Sequence, residues 1–187
     1  MPEPYVESFL MLEDIRFEKS GQFTLIGALS DRVFSKAWPL RFPKTCFHVR
    51  VRGVHGTPDH KLEIRIAGAE KPLATLSGKA KESDVEVAII CYFFGPEFSL
   101  PEPGSYVVTF SLHEAEERIL KAEYTFSLRN PNADELYLQC EKCKAKYATG
   151  VAVKGTAQIE ECTSVCPLCG NANPFDSKKA FHIPNPS

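Results

Sequence analysis

Two Cys-x-x-Cys pairs constrain the fold of this chain more than any other feature of its sequence. The first pair is Cys140 and Cys143, and the second pair, Cys166 and Cys169, follows after 22 intervening residues. Each pair places two sulfurs on one tight turn, and two such turns supply the four thiolates of a tetrahedral metal site. The spacing therefore predicts a metal-binding module formed by these four cysteines.

The residues around and between the two pairs indicate the kind of module. Two short stretches, 150–154 and 157–160, read as strands joined by a turn at Lys154-Gly155. With the cysteine pairs, this layout resembles a zinc ribbon over residues 136–183. The second knuckle, Cys166-Pro-Leu-Cys169-Gly170, also resembles that of rubredoxin, which holds iron with four sulfurs. The first knuckle lacks the glycine that follows in rubredoxin, so we expect structural zinc, with iron as the minority alternative.

A site closed by four cysteines leaves no coordination position for water or substrate, so this centre is expected to stabilise the fold. Cys162 stands four residues before Cys166 and is interpreted as a spectator thiol on the ribbon strand, not as a ligand. A thioredoxin-like redox role is disfavoured, because neither pair opens a helix after a strand.

Composition and charge restrict the partners and the compartment. The formal net charge is −2 and the pI is near 6.2, so no strong basic field attracts nucleic acid or anionic lipid. The amino-terminal stretch lacks the basic start of a secretory signal, and no apolar run is long enough to span a membrane. Seven cysteines, an odd number, argue against a disulfide framework. We expect a cytoplasmic protein that does not bind membranes.

The first 130 residues are predicted to be all-β, because short stretches alternate apolar and polar residues between turn signals. About eight strands are indicated, at 15–17, 23–27, 47–51, 62–66, 73–76, 85–94, 106–112 and 124–128. This pattern, with Tyr106 near the start of a strand, resembles an immunoglobulin-like antiparallel β-sandwich. An antibody-type disulfide is not expected, and Trp38 lies in a loop-like stretch. A polar segment with a proline at 129–134 divides a sandwich domain, 1–130, from a zinc-ribbon domain, 131–187.

The strand at 85–94 is apolar on both faces in its second half. We predict that one row of side chains faces inward, namely Val85, Val87, Ile89, Cys91 and Phe93. Ile90, Tyr92 and Phe94 would then face outward and are predicted to bind the ribbon or a protein partner. A β-bulge that turns these three side chains inward is the competing interpretation.

A second resemblance covers residues 8–130. The stretch Met11–Ser30 joins an acidic pair, a hairpin and a Leu-Ile-Gly strand, and Pro43-Lys-Thr-Cys46 follows. These motifs resemble a family of short, uncharacterised prokaryotic β-sandwich proteins. The resemblance implies no known activity, and the ribbon would be an added module.

The sequence offers little support for catalysis. Cys46 and His48 share one face of a strand and could form a nucleophile and base, but no third group orients them. Asp59-His60 reads as turn chemistry. His55, His113 and His182 are isolated, and no hydrolase, phosphate-loop, zinc-protease or dinucleotide motif occurs.

The expected function is therefore non-enzymatic binding, in an adaptor that contacts a protein through the sandwich, the ribbon or both. Nucleic-acid binding through the ribbon is the first alternative, and Lys142, Lys144 and Lys146 beside Tyr147 are its candidate patch. It is not favoured, because residues 133–187 carry six acidic and six lysine side chains and no arginine. An enzyme with a site on the sandwich is the second alternative.

Overall fold

The computed structural model describes residues 3–20, 22–80, 86–95, 98–131, 135–152, 163–176 and 178–183. These residues form antiparallel strands and contain no α-helix, so the prediction of a mainly-β protein is confirmed. Among them, no helix is long and apolar enough to cross a bilayer. The strands are β1 (Tyr5–Phe17), β2 (Phe23–Ala28), β3 (Arg32–Phe34), β4 (Ala37–Trp38), β5 (Leu40–Arg41), β6 (Thr45–Arg52), β7 (Asp59–Ile66), β8 (Ala74–Lys79), β9 (Val87–Phe94), β10 (Ser99–Leu100), β11 (Gly104–Glu114), β12 (Glu117–Arg129), β13 (Glu135–Gln139), β14 (Lys146–Ala152), β15 (Thr163–Val165), β16 (Ala172–Pro174) and β17 (Phe181–His182).

The chain divides into two compact units, each built from several stretches of sequence. The first unit combines Met1–Arg32, Phe42–Phe98 and Ser105–Phe126. The second unit combines Val33–Arg41, Ser99–Gly104 and Ser127–Ser187. Two short segments from the first 130 residues thus belong to the same unit as the cysteine pairs.

The core of the first unit lies between two antiparallel sheets, with strand orders β2-β1-β6-β9 and β12-β11-β7-β8. Aromatic side chains from the two sheets meet in this core. The ring centroids of Phe9 and Phe110 are 6.3 Å apart, and those of Tyr92 and Phe110 are 6.4 Å apart. Edge-to-face rings of this kind add to the free energy gained from burying apolar surface.

Two hairpins join neighbouring strands of the first unit. β1 and β2 pair antiparallel, with Phe17 opposite Phe23. β11 and β12 are joined by Ala115 and Glu116, which both have positive φ, as a tight two-residue turn requires. Short strands β3 to β5 were not predicted, because two or three residues are too few to show periodicity. Asp59 and His60, predicted as a turn, instead begin β7.

The predicted orientation of β9 is wrong. Ile90, Tyr92 and Phe94 are 5%, 4% and 6% exposed, and they pair across the sheet with Val49, Phe47 and Thr45 of the buried inner row. Ile89 and Phe93, predicted to face inward, are 45% and 40% exposed. The register with β6 is continuous, so the inward row needs no bulge. Local alternation does not determine which of two apolar faces meets the opposite sheet, and the larger rings of Tyr92 and Phe94 fill that space.

This correction removes the predicted binding surface on Ile90, Tyr92 and Phe94. A side chain buried between two sheets cannot contact a partner without unfolding the unit. The Tyr92 hydroxyl lies 2.6 Å from Nδ1 of His60, which supplies the hydrogen bond that a buried phenol requires. Val85, placed in the same strand from sequence, lies outside the described residues.

The second unit contains a sheet with the order β17-β13-β14-β4 and the small pairs β15-β16 and β10-β5. Trp38, expected in a loop, lies in β4 opposite Lys146 of β14 and is 1% exposed. Apolar residues from distant segments pack around two of the cysteines, namely Ala37, Leu136, Leu138, Tyr147 and Phe175 with Cys140 and Cys166. The predicted strand at 157–160 and the Lys154-Gly155 turn lie outside the described residues.

Candidate metal centre

The two cysteine pairs adopt the same local geometry. In the first turn, the amide of Lys144 donates to the carbonyl of Cys140 and the amide of Cys140 donates to the carbonyl of Ala145. In the second turn, Gly170, Cys166 and Asn171 repeat this pattern at the equivalent positions. Each turn therefore closes on itself and presents two sulfurs on the same side.

The fourth residue after each first cysteine has a left-handed backbone. Gly170 has a φ of +69°, which glycine adopts without steric cost, and Lys144 has a φ of +61° at the equivalent position. The first knuckle thus keeps the same backbone shape without the glycine. The absence of a glycine in the sequence after Cys143 does not prevent the knuckle from forming.

The four predicted cysteines come together as one cluster. All four sulfur atoms lie within 4.8 Å of one another, with Sγ distances of 3.6 Å between Cys140 and Cys169 and 3.7 Å between Cys143 and Cys166. Four sulfurs at about 2.3 Å from a tetrahedral ion are about 3.8 Å apart. The cluster therefore has the dimensions to hold one metal ion. Cys162, the possible competitor, lies outside the described residues.

The surroundings of the sulfurs favour thiolate at one position and oppose it at others. The amide of Cys143, followed by that of Lys142, lowers the pKa of Cys140 to about 6. Burial raises the pKa of Cys166. The amide of Asn171 favours the thiolate of Cys169, but burial and the neighbouring thiols outweigh it and raise its pKa to about 12. Four thiolates at this separation repel one another, so full ionisation of the cluster requires a bound cation.

A buried asparagine connects the cluster to the core of the second unit. Asn173 is 2% exposed, and its Nδ2 lies 3.8 Å from Sγ of Cys140 and 3.0 Å from the hydroxyl of Tyr147. Its Oδ1 accepts a hydrogen bond from the amide of Glu141, and the Tyr147 hydroxyl donates to the carbonyl of Ser164. This network fixes the first knuckle against β14 and β16.

Sequence reasoning identified the four ligands but not the asparagine that supports them. Asn173 is separated from Cys140 by 33 residues, so no local spacing connects the two. An available signal was its position two residues before apolar Phe175, because residues two apart share a face of an extended segment.

Cys46 and His48, the pair considered for catalysis, lie in an environment that does not suit a nucleophile and its base. Cys46 is fully buried and His48 is 4% exposed. Burial raises the pKa of the Cys46 thiol and lowers the pKa of His48, so both groups are held neutral. A nucleophilic cysteine requires the opposite shifts, toward thiolate and imidazolium.

One residue of the predicted lysine patch, Tyr147, is not available for binding in the structure. Tyr147 is fully buried and cannot stack on a ligand. Phe181 is the nearby aromatic instead, with Nζ of Lys146 5.8 Å from its ring centroid. A hollow of about 390 Å³ in this unit is lined by Lys144, Lys179 and Phe181, and also by Glu141.

Comparison with known proteins identifies no family for this chain. No family model matches the chain, and no curated protein matches it. Among solved structures, it is similar to a Bifidobacterium dentium β-glucuronidase, solved in complex with coumarin-3-O-glucuronide, with 12% identity and a TM-score of 0.38. The similarity covers 71% of this chain and 19% of the glucuronidase. At this TM-score the likeness carries no argument about function.

Proposed function

We propose that this chain is a non-enzymatic binding protein of the cytoplasm that carries a structural zinc ion on Cys140, Cys143, Cys166 and Cys169. The observation that supports this proposal most directly is the set of four clustered sulfurs, which would fill all four positions of a tetrahedral ion and leave none for water or substrate. Zinc is the ion proposed because it favours tetrahedral thiolate sites and has no redox chemistry of its own. A reducing compartment keeps the four cysteines available as ligands.

The role of the metal in this proposal is to stabilise the second unit. One apolar cluster of that unit is centred on two of the four cysteines, Cys140 and Cys166. Small units with limited cores commonly need a metal to fold. An immunoglobulin-like arrangement of the two sheets of the first unit is part of the same proposal, with the sheets as a scaffold for protein binding.

Metal analysis of the purified protein tests the proposal. We expect about one zinc ion per chain, lost in Cys140→Ser and in Cys169→Ser. Cys91→Ser is the matched control, because Cys91 is a free cysteine outside the cluster. Trp38, the only tryptophan, reports on the outcome, since it pairs with β14 of the second unit. Loss of zinc should shift its buried emission toward that of an exposed indole.

Freshly purified protein with no stoichiometric metal would contradict the structural role. Stoichiometric iron, with the absorption of an iron–thiolate centre, would support the four-sulfur site but replace zinc as its ion. Retention of zinc in both Cys→Ser variants would show that the zinc is bound elsewhere in the chain.

Nucleic-acid binding through the ribbon is a second candidate, favoured by the hollow beside Phe181. Lys144, Lys146 and Lys179 lie near that ring, and a base could stack on it while lysines contact phosphate. Glu141 lies in the same hollow, with its carboxylate 3.9 Å from the Lys179 ammonium. This charge compensation makes nucleic acid the weaker candidate.

A further inference from the structure

The free edge of β9 is a feature of the first unit that the metal centre does not explain. β9 ends the sheet β2-β1-β6-β9, and within the described ranges it pairs only with β6. The backbone N–H and C=O groups on its other side therefore have no strand partner in that part of the chain. An edge of this kind can accept another extended strand through main-chain hydrogen bonds.

The residues of β9 itself include none of the types that usually prevent strand addition. Val87–Phe94 contains no charged residue, no proline and no glycine. Its register with β6 is continuous from one end to the other, so no β-bulge twists the edge away. Natural edge strands are commonly protected by lysine, proline or a bulge. The backbone of β9 is therefore regular and open to pairing.

The side chains beside this edge expose apolar surface. Ile89 and Phe93 are 45% and 40% exposed, and Phe17, 66% exposed, lies 6.4 Å from Phe93 between ring centroids. A groove of about 530 Å³ follows the strand, and its walls include the consecutive residues 87–91. Contiguous exposed apolar surface of this kind marks interaction sites in soluble proteins.

We propose that β9 pairs antiparallel with β9 of a second copy of this chain, which joins two four-stranded sheets into one. A twofold interface requires a self-complementary surface, and the outward row Ile89, Cys91 and Phe93 has this property. With the axis at Cys91, Ile89 of each copy faces Phe93 of the other, and the small thiols meet at the centre. The strand is uncharged, and a second β9 matches it because it brings no unpaired charge beside the apolar row.

Sedimentation velocity on the full chain, over about a hundredfold range of protein concentration, tests this pairing. We expect a monomer–dimer equilibrium for the natural protein. Ile89→Glu should raise the dimer dissociation constant at least about tenfold, because the carboxylate would be buried against an apolar ring in the dimer. In the single copy, the side chain at position 89 lies on an exposed face, so the new carboxylate remains in contact with water.

Two further variants separate this interface from general effects on folding. Phe93→Glu changes the other half of the proposed contact and should weaken the dimer to a similar extent. Leu73→Glu is the matched control, since Leu73 is 42% exposed and lies outside β9, and it should leave the dimer unchanged. Circular dichroism and a cooperative thermal transition identify any variant that fails to fold, and the folded variants then decide the test.

A natural protein that stays monomeric over the whole concentration range overturns the proposal. So does a dimer that persists in folded Ile89→Glu or Phe93→Glu protein, and so does a dimer that Leu73→Glu also dissociates. If β9 instead pairs with a strand of another protein, the purified chain would stay monomeric over the whole concentration range. None of these outcomes depends on the function proposed for the metal centre.

Discussion

At the scale of single residues, the side chain that supports the first knuckle is as informative as the ligands. The Asn173 amide reaches Cys140 Sγ, the Tyr147 hydroxyl and the Asn171 carbonyl, while its oxygen accepts from Glu141. A hydrogen bond to a ligand sulfur delocalises its negative charge and orients it toward the ion. Outer-shell partners of this kind contribute to metal affinity although they do not touch the metal.

Asn173→Ala should therefore weaken metal binding by about 10–100-fold while one ion per chain still binds at saturation. Competition with a chromophoric chelator measures the change. Asn171→Ala is the control, because the Asn171 side chain donates to Asn173 and to the Ala172 carbonyl and not to a sulfur. The backbone amide of residue 171, which bonds to Cys169, is retained in this variant. Equal affinities for Asn173→Ala and the natural protein would show that the hydrogen bond to sulfur has no effect.

His48 is a second residue whose environment has a measurable consequence. It is 4% exposed, neither ring nitrogen has a hydrogen-bond partner among the described residues, and its ring lies 5.4 Å from that of Phe23. Burial, followed by repulsion from Arg50, lowers the pKa of His48. Because the imidazole is more easily protonated in the unfolded chain, acid favours unfolding.

The contribution of His48 to stability is therefore full above about pH 6.5, its unfolded pKa, and falls as the pH decreases through the lower folded pKa. His48→Leu should lose less stability between about pH 7 and pH 5 than the natural protein. Urea unfolding at several pH values measures this difference, and exposed His55→Leu is the control. Burial also lowers the pKa of His60, so part of the acid sensitivity should remain. Parallel pH profiles for His48→Leu and the natural protein would contradict the assignment.

At the scale of elements, the hairpin between β11 and β12 carries backbone strain at its turn. Ala115 and Glu116 have φ of +45° and +72°, a region that costs a residue with a Cβ about 1–2 kcal/mol. Asn-Gly is the preferred pair for such turns.

Replacing Ala115-Glu116 with Asn-Gly should raise the free energy of unfolding by about 0.5–1 kcal/mol, after the entropy cost of the new glycine is subtracted. Thermal or urea unfolding measures the gain. Glu117→Gly, the next residue and the first of β12, should instead destabilise, since glycine weakens a strand. A turn variant less stable than the natural protein would show that the strain is relieved by contacts of the natural side chains.

The elements of the second unit show how a short strand acquires its role. β4 has two residues, yet Trp38 and Ala37 pair with Lys146 and Tyr147 and extend the sheet that carries the first knuckle. An isolated dipeptide has no strand preference of its own, so this pairing depends on the neighbouring β14.

At the scale of the whole molecule, net charge limits the class of partner. The chain carries −2 at neutral pH, and residues 133–187 are balanced between lysine and acidic residues. Binding to random single-stranded DNA or RNA should be weak, with a dissociation constant of about 10⁻⁴ to 10⁻⁶ M or weaker at physiological salt. Fluorescence anisotropy measures it, with a salt titration. Sub-micromolar affinity that falls steeply with salt, and is lost in Phe181→Ala, would instead favour nucleic acid as the partner.

The sequence alone determined those properties that depend on near neighbours in the chain. The two Cys-x-x-Cys turns were identified because each is closed by hydrogen bonds within a few residues. Most strands of the first unit were identified because alternation reflects the pleat.

Only the tertiary structure decided which surfaces face each other. It placed Tyr92 inside and Ile89 outside, joined β4 to β14, and brought Asn173 to Cys140. The physical reason is that periodicity shows which side chains share a face, whereas burial depends on the distant segment that covers that face. For β9, with apolar residues on both faces, that segment is the opposite sheet, where Phe110 and His60 contact Tyr92.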